Sequence, residues 1–201
     1  MEFIAILVLA YLLGSIPFSH IFPKIKGKDV KSRGTKNIGA TNALVVAGPL
    51  LGALALLGDI GKGFLAAYLA RYFIGSDWAV ALAGIAAIIG HDFSVFLKFK
   101  GGKGVATTGG ALFAIDPILT LIILLLWILL IVITRYFIPS TLIMFICLPA
   151  IMWVSGKPIE IITFAALAML IAFCAHRKDI LRIISGKEIN TSEAIKHYLG
   201  K

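Results

Sequence analysis

The chain alternates between long apolar runs and short polar segments. Seven apolar runs can be traced, over residues 3–22, 49–73, 78–97, 104–115, 118–134, 138–155 and 159–175. A helix that crosses a membrane needs about 20 apolar residues, within a range of about 17–25. The fourth run is shorter than that, because Asp116-Pro117 ends it. The pattern therefore predicts an all-α, polytopic integral membrane protein with seven transmembrane helices, of which the fourth is short.

Composition excludes an ordinary soluble domain. The chain is 60% hydrophobic and 14% charged, whereas soluble domains are about 45–50% apolar and about 25% charged. The first run opens directly after Met1 without a basic region, so we predict a retained first span rather than a cleaved signal peptide. No soluble segment of domain size is present, so residues 1–201 are predicted to form a single membrane-embedded domain.

The distribution of Lys and Arg predicts the orientation. With seven spans, Arg71 and Lys157 lie on one side and Lys62 lies within a span. The other side then carries 16 of the 19 basic residues, and this is the side that faces the cytoplasm in membrane proteins. If the fourth run does not cross, the two sides hold ten and eight. The seven-span arrangement is favoured, with the N-terminus outside and the C-terminus cytoplasmic.

The formal net charge of +9 first suggests nucleic acid or anionic lipid as a partner. Most basic residues lie in short segments between apolar runs, so the charge asymmetry of membranes explains them better. Membrane lipids are expected partners, and nucleic acid is not. No set of metal-ligand residues at the usual spacings is present, so neither a metal nor a cofactor is expected.

The first polar segment, residues 32–42, contains more polar side chains and glycines than a connecting loop needs. It combines hydroxyls, amides, glycines and two cations, and glycines let backbone N–H groups turn toward an anion. A flexible polar loop is the alternative. The candidate substrate-binding residues in it are Ser32, Thr35, Lys36, Asn37, Gly39, Thr41 and Asn42.

The second segment, Gly101-Gly102-Lys103-Gly104, opens the short fourth helix. Free backbone donors at a helix N-terminus together with a lysine are typical of phosphate binding. The spacing of a Walker A loop is absent. The alternative is a group of interfacial lysines with glycines that allow close helix packing.

Further polar residues lie near the same predicted face. Arg135 and Ser140 flank the turn between the fifth and sixth spans, and His176 and Asp179 follow the last span. Inside the second apolar run, residues 49–73, Asp59 and Lys62 are three residues apart. They are expected to pair on one face of a helix, either as a structural ion pair beneath a site or in a catalytic role.

Known catalytic patterns are missing: there is no HxxxxD motif and no GxSxG elbow. An enzyme with this sequence would need a substrate already activated for attack. The cations favour a phosphorylated substrate, and the apolar surroundings favour one with a lipid end. A transporter of organic phosphates would require inverted repeats, which are not evident, and a lipid-binding scaffold would leave the paired glycine-rich segments unexplained.

These motifs resemble the bacterial acyl-phosphate:glycerol-3-phosphate acyltransferases over nearly the whole chain. The resemblance is carried by residues 36–42 and 99–107, with additional matches at 59–63, 134–136 and 176–177. It implies a multi-pass enzyme of the bacterial inner membrane with its active site at the cytoplasmic face. Acyl phosphate and glycerol 3-phosphate would react to give lysophosphatidic acid and inorganic phosphate, and an upstream enzyme that forms acyl phosphate is a conceivable partner.

By the same resemblance, residues 35–42 and Gly101, Gly102 and Gly104 would hold the acyl phosphate. Lys103, Ser140, His176 and Asp179 would hold glycerol 3-phosphate, and Lys103, His176 and Ser140 are the candidate catalytic residues. The proton acceptor is either His176 or a phosphate oxygen of the substrate.

Three positions depart from the family pattern. Thr35 replaces the usual serine, Val45 replaces an arginine and Asp179 replaces an asparagine. The last two changes reduce the positive charge of the predicted site. A reaction between two anions also requires residues 32–42 and 101–104 to lie side by side on one face of the membrane.

Overall fold

The computed structural model describes residues 1–199, and side chains as far as residue 197. All regular elements among the described residues are helices, as the apolar pattern predicts. Lys201, which we counted with the cytoplasmic basic residues, lies outside the described part. The chain divides into two compact units, one from Met1 to Asp116 and the other from Pro117 onward.

The first unit contains six α-helices and one short 3-10 turn. The 3-10 turn, Val95–Leu97, links the fifth helix to the glycine-rich segment. The helices are α1 (Glu2–Ser15), α2 (Phe18–Ile25), α3 (Ala40–Ala47), α4 (Pro49–Phe73), α5 (Asp77–Asp92) and α6 (Val105–Ile115).

The first apolar run is broken into α1 and α2 by Pro17, which has no N–H group to continue the helix. A break at membrane depth exposes backbone carbonyls, which must find partners inside the protein. The Ile16 carbonyl accepts a hydrogen bond from Lys62 Nζ at 2.9 Å, and the Ser15 carbonyl accepts one from Ser94 Oγ at 2.5 Å. Polar side chains from α4 and from the segment after α5 therefore stabilise the break.

Small residues allow the helices of the first unit to approach closely. Gly63 of α4 lies against the Thr107 carbonyl of α6, and Gly110 of α6 lies against the Ile60 carbonyl of α4. At either glycine a Cβ atom would overlap the facing backbone. Membrane helices associate through such contacts, since lipid provides no hydrophobic force between them. This packing holds the start of α6 against α4.

The second unit contains five helices. Helix α7 is almost entirely exposed, with Ile123 its one buried residue, as expected for a helix that faces lipid. Helices α9 and α10 are bent by 68° relative to one another. The helices are α7 (Pro117–Thr134), α8 (Phe137–Val154), α9 (Ile159–Ala175), α10 (Arg177–Ile184) and α11 (Thr191–Leu199).

Five helical stretches among the described residues are long and apolar enough to cross a membrane, and a sixth if the α9–α10 pair is one bent span. Helix α6 is shorter. Its 11 residues span about 16 Å at 1.5 Å per residue, against a hydrocarbon core of about 30 Å. The prediction of a short fourth apolar helix is confirmed.

Candidate active site

The first polar segment is organised around the buried side chain of Asn42. Its Nδ2 donates to the carbonyls of Val30 at 2.7 Å, Asn37 at 2.9 Å and Arg33 at 3.2 Å. Its Oδ1 accepts the Thr35 backbone N–H at 2.8 Å. All its polar atoms are thus engaged with the segment itself. Asn42 shapes residues 30–37 into a fixed loop.

Asp29 forms a tight turn at the start of this loop. Its carboxylate accepts the Lys31 backbone N–H at 2.9 Å and the Ser32 hydroxyl at 3.1 Å. The backbone hydrogen bond from Lys31, followed by the Ser32 hydroxyl, holds the pKa of Asp29 below its ordinary value. Beyond the turn, Lys31, Arg33 and Lys36 are exposed, so the loop carries a cationic surface.

Helix α3 begins at the end of this loop with its first turn uncapped. Gly39 is the N-cap in an extended conformation, and no side chain caps the helix. The first N–H groups of a helix have no partner within it, and together with the helix dipole they attract anions. Thr41 lies in this first turn and is exposed. The loop therefore presents backbone donors beside its cations.

Helix α6 begins in the same way at the glycine-rich segment. Gly104 is its N-cap with φ of 67°, in the left-handed region that favours glycine, and no side chain caps this helix either. Lys103 precedes the cap and lies close enough to the buried carboxylate of Asp92 to interact with it electrostatically. A second uncapped N-terminus thus carries a lysine.

The two segments meet at Gly102. A Cβ atom there would collide with the Ile38 carbonyl oxygen and with Nε2 of His91, and the Gly102 N–H donates to the His91 carbonyl at 3.1 Å. Ile38 immediately precedes the N-cap of α3, and Gly102 lies two residues before the N-cap of α6. The requirement that residues 32–42 and 101–104 be neighbours is met.

A buried polar cluster lies inside the first unit. Lys62 Nζ is 2.9 Å from Asp59 Oδ1, which confirms the predicted pairing of these residues. Asp59 Oδ2 accepts the Ser19 hydroxyl at 2.6 Å, and His91 Nδ1 lies 3.5 Å from Asp59 Oδ1. Neither Ser19 nor His91 was singled out as a member of this cluster from the sequence.

In the second unit, Ser140 lies in the first turn of α8, beside the turn that follows α7. Its hydroxyl donates to the Tyr136 carbonyl at 2.6 Å and lies 2.7 Å from Thr134 Oγ1. Ser140 is fully buried. Arg135 is exposed, adopts φ of 63°, and its carbonyl accepts the Thr191 N–H at 2.8 Å. The start of α11 is thereby attached to this turn.

His176 and Asp179 lie at the bend between α9 and α10. His176 Nδ1 is 2.9 Å from the Ala172 carbonyl, which can only accept, so Nδ1 carries the hydrogen. In the neutral imidazole Nε2 then has the lone pair. The carboxylate of Asp179 is buried and forms an ion pair with Arg182, which also contacts Glu188 at 3.0 Å. Arg182 compensates the negative charge that the asparagine-to-aspartate departure introduces.

Val45, the other departure, packs partly buried against an apolar cluster. The cluster comprises Val30, Ile38, Val46 and Leu97. The Val45 side chain therefore packs against residues of the cationic loop, whereas an arginine at this position would add a positive charge. Among the described residues no group of three or more His, Cys, Asp and Glu side chains is arranged to hold a metal ion.

Comparisons with known proteins agree on one family. The model of the glycerol-3-phosphate acyltransferase family matches residues 4–186. The chain is 38% identical over 194 residues to the glycerol-3-phosphate acyltransferase of Syntrophomonas wolfei, covering 96% of this chain and 99% of the relative. It is 38% identical over 201 residues to that of Thermosipho melanesiensis, covering 100% and 98%.

Solved structures give the same result. The crystal structure of PlsY (YgiH), an integral membrane glycerol 3-phosphate acyltransferase, in its glycerol 3-phosphate form has a TM-score of 0.89 and 34% sequence identity. That alignment covers 94% of this chain and 96% of the other. The lysophosphatidic acid form also has a TM-score of 0.89, at 33% identity, with coverage of 97% and 99%.

Proposed function

The chain belongs to the glycerol-3-phosphate acyltransferase family, and from that premise we propose that its acyl donor is an acyl phosphate. The enzyme is an integral membrane acyltransferase. In the proposed reaction the sn-1 hydroxyl oxygen of glycerol 3-phosphate bonds to the acyl carbon, and the bond from that carbon to the phosphate oxygen breaks. The hydroxyl proton passes to a phosphate oxygen of the donor. The products are lysophosphatidic acid and inorganic phosphate.

The convergence of the two uncapped helix N-termini is the observation that carries this proposal. Helices α3 and α6 begin beside one another at Ile38 and Gly102, and each brings a lysine. An acyl phosphate is a mixed anhydride that is already reactive. The protein mainly has to orient it and stabilise the charge that develops in the transition state, which preorganised backbone donors do well.

We assign the acyl phosphate to the first unit. Backbone donors at Gly39, Thr41, Gly101 and Gly104 would contact its phosphate, with Ser32, Thr35, Lys36, Asn37 and Asn42 forming and charging the loop. Gly102, whose N–H donates to the His91 carbonyl, would hold the two segments together. Within the second unit, Ser140, His176 and Asp179 are proposed to bind glycerol 3-phosphate, with Arg135 contributing charge. Lys103 of the first unit keeps its proposed catalytic role. The Nδ1–H tautomer leaves His176 Nε2 able to accept a hydrogen bond from the sn-2 hydroxyl of glycerol 3-phosphate, the one that does not react, and so to orient the substrate.

We also propose how the chain lies in the membrane. Seven spans require both α9, after which the chain bends into α10, and the short α6 to cross. The excess of basic residues then places the C-terminus and the site at the cytoplasmic face of a bacterial inner membrane. Residues 1–201 would act as one acyltransferase domain, since the family match runs through the boundary between the units. An upstream enzyme that forms acyl phosphate would supply the donor.

A transfer assay tests the function. Purified protein in detergent receives acyl phosphate and labelled glycerol 3-phosphate, with acyl-CoA as the control donor. Labelled lysophosphatidic acid is expected from acyl phosphate alone. Lys103→Ala is expected to abolish transfer while the fold survives, whereas Lys100→Ala, an exposed lysine three residues earlier, serves as the matched control. Equal transfer from acyl-CoA would refute the assignment of the donor.

A fusion assay tests the topology. A reporter that is active only outside the cytoplasm is fused after Lys201, and a reporter that is active only inside it is fused there in parallel. Signal is expected from the second alone. The reverse result would overturn the seven-span arrangement.

A further inference from the structure

His91 connects the intramembrane ion pair to the glycine-rich segment. It is the next-to-last residue of α5 and is buried, with 8% of its surface exposed. Its Nδ1 faces Asp59 Oδ1 at 3.5 Å. That separation exceeds the 2.7–3.2 Å usual for a hydrogen bond, so the contact is an electrostatic one.

Asp59 is itself held in place from two further directions. Lys62 contacts one carboxylate oxygen at 2.9 Å, and the Ser19 hydroxyl donates to the other at 2.6 Å. A carboxylate fixed in this way has little freedom to follow a moving imidazole. The ring of His91 is therefore aligned by a rigid partner.

The opposite edge of the His91 ring lies against Gly102. Nε2 occupies the space that a Cβ of Gly102 would need. The His91 backbone carbonyl accepts the Gly102 N–H at 3.1 Å, and the same carbonyl lies directly beside Gly101. The end of α5 thus supports the glycine-rich segment through both the side chain and the backbone of one residue.

We propose that His91, aligned by Asp59, is a positioning residue for the anion site at the start of α6. This inference rests on the proposed function, because it assumes that the first-turn N–H groups of α6 bind the phosphate of the donor. A shift of Gly102 changes the direction of those donors. Loss of the imidazole should therefore weaken acyl phosphate binding and leave glycerol 3-phosphate binding nearly unchanged.

Two near-isosteric variants of His91 distinguish the role of the ring edge at Nδ1 from that of the edge at Nε2. In His91→Gln the side-chain amide reaches the position of Nε2 and still packs on Gly102. In His91→Asn the amide takes the position of Nδ1, facing Asp59, and leaves a gap at Gly102. His197→Gln changes an exposed histidine of α11 and is the matched control.

The experiment measures KM for both substrates, and the binding of inorganic phosphate from the shift in thermal unfolding. His91→Asn is expected to raise KM for acyl phosphate by about tenfold to a hundredfold, the loss that misplacement by up to about 1 Å produces. KM for glycerol 3-phosphate should change by less than about twofold. His91→Gln should restore most of the affinity, and Asp59→Asn should shift KM in the direction of His91→Asn.

The outcomes distinguish this inference from the proposed function. If the wild type transfers from acyl phosphate but His91→Asn leaves KM for it unchanged, or raises both KM values equally, the inference is wrong. If the wild type shows no transfer from acyl phosphate, the proposed donor is wrong. In that case the inference stands only if His91→Asn, and not His197→Gln, weakens phosphate binding. If His91→Asn does not fold, Asp59→Asn and His91→Gln test the inference instead, through the KM values of the two substrates and the binding of inorganic phosphate.

Discussion

Replacing Asn42 should disorder the cationic loop without touching the membrane helices. Asn42→Ala removes four hydrogen-bonding contacts of 2.7–3.2 Å, and each hydrogen bond has a net value of about 0.5–1.5 kcal/mol. The carbonyls of Arg33 and Asn37 and the N–H of Thr35 can return to water. The Val30 carbonyl belongs to a fully buried residue, so its loss approaches the desolvation penalty of about 1–3 kcal/mol.

Asn42 Nδ2 has only two hydrogens, so its three contacts count as two hydrogen bonds and the total is three. At about 1 kcal/mol for each of two bonds and about 2 kcal/mol for the buried carbonyl, the losses amount to about 4 kcal/mol in the free energy of ordering the loop. Each 1.4 kcal/mol corresponds to about a factor of ten, and the apparent affinity falls with the fraction of protein in the competent state. Because the wild-type loop has some stability to lose first, we expect KM for acyl phosphate to rise by about tenfold to a hundredfold.

The decisive comparison is with Asn42→Asp, which has nearly the same shape. It keeps an acceptor for the Thr35 N–H but turns a second oxygen toward three carbonyls. It should therefore impair the enzyme at least as much as alanine does. Asn190→Ala, which removes one cap hydrogen bond to the Glu193 N–H, is the control.

Transfer kinetics and hydrogen exchange of residues 30–37 measure the effect. Both Asn42 variants should lose amide protection in that loop and affinity for acyl phosphate together. If Asn42→Asp keeps the wild-type KM for acyl phosphate and the wild-type amide protection of residues 30–37, the reasoning is refuted.

Three further predictions concern other parts of the two units. Gly102→Ala should abolish transfer in the assay above, because the added Cβ meets a backbone carbonyl as well as an imidazole; full activity would mean the segment is not closely packed. Arg182→Gln should raise KM for glycerol 3-phosphate by about threefold to tenfold, since it removes the cation that offsets the Asp179 charge, and adding Asp179→Asn should reverse the effect; no recovery in the double variant would contradict this. Because the pKa of Asp29 is lowered, its contribution to the turn is complete at any pH above its ordinary pKa of 3.8 and is lost only as the pH falls through the lowered value. Amide exchange of Lys31, corrected for intrinsic rates, should therefore show the same protection at pH 5 as at pH 7. A loss of protection between these two pH values would contradict the prediction.

Most helix bounds follow from the apolar pattern because each run is limited by charge, glycine or proline. The run 49–73 coincides with α4, and the short run 104–115 with α6. The first run shows the limit of this approach. Its length indicates one span, and Glu2–Ile25 is one stretch that is long and apolar enough to cross. The pattern did not show that Pro17 divides this stretch into α1 and α2, with Lys62 and Ser94 binding the carbonyls at the break.

The functional segments were recognisable from residue types, but their internal roles were not. Asn42 is indistinguishable from a substrate ligand in the sequence, although its amide is used entirely to shape the loop. His91 precedes the glycines by ten positions, and only the return of the chain onto α5 brings it to Gly102. Helix α3 was also missed, because its eight residues follow a polar segment that resembles a loop.

In the proposed reaction, backbone N–H groups at two adjoining helix starts bind the donor's phosphate. A structure of the protein with a non-hydrolysable acyl phosphonate tests it most directly. The phosphonate oxygens should lie within hydrogen-bond distance, about 2.7–3.2 Å, of N–H groups in both residues 39–42 and residues 103–106. A phosphonate bound by side chains alone, or at one of the two segments without the other, would contradict the account.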